Sequence, residues 1–167
     1  LFVNTHGQVV GFSTDAEDTR HGFVWRKGVF TTIDAPGAGP GGTKAIGIND
    51  RGQIVGAYRD EDQRIHGFLL RKGVFTTIDA PGAEGGVTVA QGINNAGTIV
   101  GFYVTADNTS HGFVRRKGVY TTIDVPDSLW TEVYSINAKG EIVGAYEDAQ
   151  GIHGFLGKPA RKQQRTN

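Results

Sequence analysis

The chain has 167 residues, enough for one domain with a sizeable core. Its 17 basic and 17 acidic residues balance, which argues against a dedicated nucleic-acid binder, and no apolar run is long enough for a membrane-spanning helix. Without Cys there are no disulfides, zinc–thiolate sites or cysteine nucleophiles; without Met, and with no signal peptide legible at Leu1-Phe2-Val3-Asn4, the chain reads as a piece of something longer.

Glycine is abundant, 26 residues, about twice its usual share of roughly 7%. Much of it belongs to a repeat of 45 residues. Gly7-Gln8-Val9-Val10-Gly11-Phe12 returns as Gly52-Gln53-Ile54-Val55-Gly56-Ala57, as Gly97-Thr98-Ile99-Val100-Gly101-Phe102 and as Gly140-Glu141-Ile142-Val143-Gly144-Ala145.

In chain order, Leu1–Asn4 reads as a clipped first strand, and unit 1 runs over about 1–42. Unit 2, 43–87, shows one full cycle of four short strands, A to D, at Thr43–Asn49, Gln53–Arg59, Ile65–Leu70 and Val74–Asp79. Unit 3 covers 88–130, and unit 4, 131–157, stops after its third strand at Leu156. A basic tail follows at 158–167, a composition expected to be disordered. Strands A and B are joined by Asn-x-x-Gly, the type I turn preference, at Asn4–Gly7, Asn49–Gly52, Asn94–Gly97 and Asn137–Gly140. Arg/Lys-Lys-Gly joins C to D and predicts a three-residue hairpin with Gly left-handed. Gly/Pro-rich crossings such as Ala35–Gly42 then lead from D to the next A. These features predict an all-β fold, a β-propeller of four-stranded antiparallel blades whose last unit lacks its outer strand. A β-solenoid is the alternative, and ring closure stays open.

The segments His21-Gly22-Phe23-Val24-Trp25, Gly28–Gly37 and Ala45–Gly56 resemble the HAF-type extracellular repeat of bacteria, named after a His-Ala-Phe motif that is His-Gly-Phe here. The resemblance spans nearly the whole chain. It implies a bacterial origin, secretion or surface display and a propeller-like fold, and it carries over no catalytic residue.

Strand order places A–B and C–D turns on one face and B–C loops and D–A crossings on the other. The first face collects Arg26, Lys27, Arg71, Lys72, Arg116 and Lys117, the second Asp60, Asp62, Asp107, Asp127 and other acids. Charged turns are the ordinary condition of solvated loops. The segregation also suits head-to-tail stacking of units or capture of an acidic polymer on the basic face.

His21, His66, His111 and His153 open strand C, while Asp34, Asp79 and Asp124 close strand D, so a structural His–Asp hydrogen bond is expected within each blade. Single His residues spread around an axis would not converge on one metal, and neither a metal centre nor a catalytic triad is expected. The acidic B–C loops are the sole candidates for Ca²⁺, without the spacing of a known calcium loop. The repeated aromatics, Phe30 among them, read as core. Trp130 breaks the repeat in a D–A crossing; with Tyr134, Asp127, Asp60, Asp62 and Asp107 it forms the candidate ligand surface, either for a sugar ring or as gap filling.

Three functions are compatible with these residues. The favoured one is a secreted or surface-displayed, non-catalytic binding module for polysaccharide or another extracellular polymer. The second is a structural subunit joined into a homo-oligomer or filament by strand complementation or stacked faces. The third is a polymer-degrading hydrolase or lyase, which no nucleophile or paired-acid motif supports. No cofactor, membrane insertion or nucleic-acid partner is expected.

Overall fold

The computed structural model describes residues 1–159. Runs of Val, Ile, Phe and Thr between Asn- and Gly-rich turns form strands throughout, because branched and aromatic side chains suit a pleated, half-buried surface. Unit 1 holds β1 (Phe2–Val3), β2 (Val9–Thr14), β3 (Arg20–Arg26) and β4 (Val29–Ile33). Unit 2 holds β5 (Thr43–Ile48), β6 (Ile54–Arg59), β7 (Ile65–Arg71) and β8 (Val74–Ile78). Unit 3 holds β9 (Val87–Ile93), β10 (Ile99–Val104), β11 (Ser110–Arg116) and β12 (Val119–Ile123). Unit 4 holds β13 (Trp130–Ile136), β14 (Ile142–Asp148) and β15 (Gly151–Gly157), with no fourth strand among the described residues. Each unit is an antiparallel meander, and the described residues contain no helix. One parallel bridge, Ile65 to Val87, ties unit 2 to unit 3. The tail expected at 158–167 lies, from residue 160 on, outside the described residues.

The turns explain the recurrent Asn and Gly. In each A–B turn the glycine amide donates to the asparagine carbonyl, as Gly52 does to Asn49 at 3.0 Å, with Gly52 at φ +70°. The Asn49 side-chain oxygen also accepts from the Arg51 and Gln53 amides. The C–D hairpins correct the expected three-residue loop. Arg26 pairs directly with Val29, leaving a two-residue turn in which Lys27 (φ 46°) and Gly28 (φ 89°) are both left-handed. Lys72-Gly73 and Lys117-Gly118 repeat it. This primed turn matches the right-handed twist of its strands, and that outweighs the cost of a left-handed lysine.

The core lies between units. Val10, Val24, Ile33, Ala45, Ile48, Ile54 and Phe68 form one cluster at the unit 1–unit 2 boundary. Equivalent clusters centre on Val55, Ile78, Ala90 and Phe113, and on Val100, Val133 and Ile142. Strand A of units 2, 3 and 4 lies against strands B and C of the unit before it. The glycine of His-Gly-Phe admits that strand: a Cβ on Gly67 would lie 2.8 Å from the Ile78 carbonyl and 3.4 Å from the Ala90 amide.

Unit 4 has no such cover among the described residues. Val10, Val55 and Val100 are 0% exposed, whereas their equivalent Val143 is 45% exposed. At the other end Phe30 is 67% exposed, which corrects its assignment to the core. Its equivalents Phe75 and Tyr120 pack onto the cluster shared with the preceding unit, and no described unit precedes unit 1.

Candidate functional site at the unit junctions

The rim formed by B–C loops and D–A crossings carries the most recurrent polar geometry. In unit 1, His21 Nδ1 lies 3.0 Å from an Asp34 oxygen and Nε2 lies 3.0 Å from Asp15 Oδ2. In unit 2, His66 Nδ1 lies 2.9 Å from Asp79 and Nε2 lies 3.0 Å from Asp60. A carboxylate only accepts and a neutral imidazole donates from one nitrogen, so two flanking carboxylates select the imidazolium. Hydrogen bonds to Asp15 and then Asp34 hold His21 above the usual histidine range. For His66, burial opposes the charge, and the bonds to Asp60 and Asp79 outweigh it, so its pKa is also raised. The same bonds hold Asp15 and Asp60 below the usual carboxylate range.

The later units keep half of this arrangement. His111 bonds Asp124 at 2.9 Å, because Thr105 stands where units 1 and 2 have Asp15 and Asp60. His153 bonds Asp148 at 3.1 Å through Nε2, in a unit without a described strand D. Tyr58, Tyr103 and Tyr146 lie against His66, His111 and His153 with ring centroids 5.2, 5.5 and 5.2 Å apart. The loop carboxylates were legible from Asp15 and Asp60, each six residues before its histidine, yet their role as the second acceptor is visible only in three dimensions.

The crossings are anchored by threonines that sequence reasoning missed. The buried hydroxyls of Thr43, Thr88 and Thr131, each near the start of a strand A, accept from the amides of Ala35, Ala80 and Val125. Between these anchors and the histidines lies an open cleft of about 340 Å³ at the junction of units 2 and 3. Arg64, His66, Asp79 and Glu84 supply its polar lining, over a floor that includes Ala80, Ala83 and Val87.

The candidate ligand residues do not form one cluster. Trp130 is the first residue of β13 instead of part of the crossing, because the shortened crossing makes it the equivalent of Val87. It is half-buried, and its indole N–H donates to Glu147 on the paired strand. Tyr134 lies four residues further along β13, about 13 Å at the usual rise of a strand, and interacts with Glu132. Burial pushes the Glu132 carboxyl up, and the neighbouring Tyr134 and Ser110 hydroxyls oppose that shift. Asp60 is committed to His66 and the Arg64 amide, Asp107 to Thr105 and Thr109, while Asp62 and Asp127 are exposed loop residues. Arg26, Lys27, Arg71, Lys72, Arg116 and Lys117 lie at the C–D hairpins, on the opposite rim.

No protein-family model and no curated protein matches the sequence. Among solved structures, a triple arginine-to-alanine mutant of AofleA from Arthrobotrys oligospora aligns at TM-score 0.54 and 15% identity, over 92% of this chain and 51% of that one. AofleA itself aligns at TM-score 0.46 and 12% identity, over 93% of this chain and 55% of that one. A fucose lectin from Kordia zhangzhouensis, solved with methyl-fucoside, aligns at 0.43 and 12%, over 74% of this chain and 96% of that one. This chain therefore spans about half the length of AofleA, and its likeness to the mutant structure is one of fold.

Proposed function

We propose that the four units are consecutive blades of a propeller-type arrangement and that the chain is a non-catalytic module binding carbohydrate at the junctions of its histidine-bearing rim. The cleft between units 2 and 3 carries this reading. A sugar ring offers donors, acceptors and an apolar C–H face. Arg64 donates, Asp79 and Glu84 accept, and the Ala80, Ala83 and Val87 floor is apolar. At the next junction Trp130 stands at the Val87 position, so an aromatic side chain replaces the aliphatic one there.

Repetition of the junction along the chain suits a ligand that is itself a repeating polymer, since linked weak sites multiply affinity. An extracellular location, implied by the repeat resemblance, fits such a ligand. The commitment of both His21 and His66 nitrogens to carboxylates supports a binding role, because it leaves neither ring to serve as base for a nucleophile. Calorimetry against a panel of neutral and acidic polysaccharides tests the proposal. Arg64→Ala and Glu84→Ala should each weaken binding about tenfold, and unchanged affinity in both variants would sink it.

A second reading, a subunit of an assembly, is favoured by one observation. Val143 is exposed on unit 4 where three equivalent valines are buried by a following unit. Sedimentation over a range of protein concentration decides it: mass rising with concentration supports assembly, and a constant single-chain mass removes it.

A further inference from the structure

A second cleft lies on the other rim, between units 1 and 2, and has a volume of about 880 Å³. Arg26, Lys27, Arg51 and Lys72 line it, from two C–D hairpins and one A–B turn. Ile33, Ile54, Leu70 and Phe75 also line it, so apolar surface lies among the cations. Among the described residues none of these four cations forms an ion pair; every such pair involves a histidine. The two acids that line the cleft are already occupied. Asp34 is bonded by His21, and Asp50 accepts from the amide and hydroxyl of Thr5 and from Asn95 Nδ2. Arg26 reaches across the unit boundary, its guanidinium lying 3.6 Å from where a Cβ on Gly52 would be.

We propose that this cleft is a binding site for an acidic polysaccharide, with the apolar wall receiving the C–H face of a sugar and the cations receiving its carboxylate or sulfate groups. Unpaired cations at the mouth of a partly apolar cleft attract an anion that also has apolar surface to bury. The repeat adds a second feature. Arg71-Lys72 and Arg116-Lys117 continue the basic hairpins to the junction of units 2 and 3, so the complementary ligand carries its charges periodically along a chain. At that junction Arg115 replaces Leu70; its Nε is buried without a hydrogen-bond partner, and its guanidinium lies 5.6 Å from the Tyr120 ring centroid. The cations of this site lie on the rim opposite the histidines, and it shares no lining residue with the cleft between units 2 and 3.

The test is binding to a polyuronate and to neutral dextran, at low and high salt, by the wild type, by Lys27→Asn/Lys72→Asn and by Lys27→Arg/Lys72→Arg. Asparagine tolerates the left-handed conformation that both lysines hold, so the charge is removed without backbone strain. The wild type should bind polyuronate and not dextran at this site, with affinity falling in high salt. The asparagine variant should bind about tenfold more weakly or worse, and the arginine variant should match the wild type. Arg64→Ala/Glu84→Ala should keep polyuronate binding, which separates this proposal from that for the other rim. Equal binding by the asparagine variant at unchanged Tm, salt-independent binding, no binding of any polyuronate, or tighter binding to single-stranded nucleic acid would each overturn it.

Discussion

Asn49 Nδ2 donates to the backbone carbonyl of Asn94, 3.0 Å away and 45 residues further along the chain. Asn4 makes the same bond to Asn49 and Asn94 makes it to Asn137, at 3.1 Å each. The side-chain oxygen of each meanwhile holds its own A–B turn. One residue type thus closes a local hairpin and fastens it to the next unit.

Asn49→Ala removes both functions at a buried site and should destabilise the chain by roughly 1–3 kcal/mol in urea unfolding. Asn49→Asp keeps the turn acceptor and loses both donations, to the Asn94 carbonyl and to Gln53 Oε1. Asn137 donates to Glu141 as Asn49 donates to Gln53, but it has no described unit beyond it to bond, so Asn137→Ala should cost about 1 kcal/mol less. Equal losses at the two positions would show that the turn alone matters.

Glycine in the repeated His-Gly-Phe motif offers a second contrast. Gly67→Ala places a methyl against the Ile78 carbonyl and the following unit, and should cost about 2 kcal/mol. At Gly154 the nearest atom to such a methyl is 3.8 Å away, so the same change should stay within about 0.5 kcal/mol. Thermal melts of the two variants separate these outcomes.

Thr88→Val keeps the shape of a fully buried side chain and deletes the acceptor for the Ala80 amide. The stranded N–H should cost about 1–3 kcal/mol, and hydrogen exchange at Ala80 should accelerate. An unchanged exchange rate would mean that the crossing is held by other contacts.

Stability should depend on pH on both sides of a plateau. His21 and His66 have raised folded-state pKa values, so their contribution is complete below about 6.5, the unfolded value, and is lost as pH rises through the folded values. Asp15, Asp60 and Asp50 are depressed, Asp50 to about 2 by Asn95 and Thr5. Their contribution is present above about 3.9 and is lost as pH falls through the folded values. Tm should therefore be highest between about pH 4 and 6.5 and decline above it, and His21→Gln/His66→Gln should flatten the alkaline decline. A variant that keeps the full decline would move its cause elsewhere.

The repeat, its strands and the antiparallel meander are legible in the sequence because Val-rich runs and Asn-x-x-Gly turns are local signals. The sorting of turns onto two rims follows from strand order alone, and the hairpin and turn residues lining each cleft come from one rim. What stayed hidden depends on contacts between residues far apart. Asn49 announces a turn, but not the carbonyl of Asn94. Asp60 reads as a loop charge, and only the folded hairpin brings it to the second nitrogen of His66. Trp130 was misplaced because crossing and strand cannot be divided by composition when two residues are missing from the repeat.

The register of the innermost strand has its own consequence. Pairing of A with B skips one residue in units 2, 3 and 4, leaving Ile46, Gln91 and Tyr134 without a cross-strand partner. Ala45, Gly47, Ala90, Gly92 and Val133 beside them are buried and confined by packing. Each of these units therefore owns one side chain whose identity the architecture leaves open, and the three copies have filled it with an aliphatic, an amide and a phenol. A scaffold that copies itself almost letter for letter keeps, in that slot, a place where its copies can become different from one another.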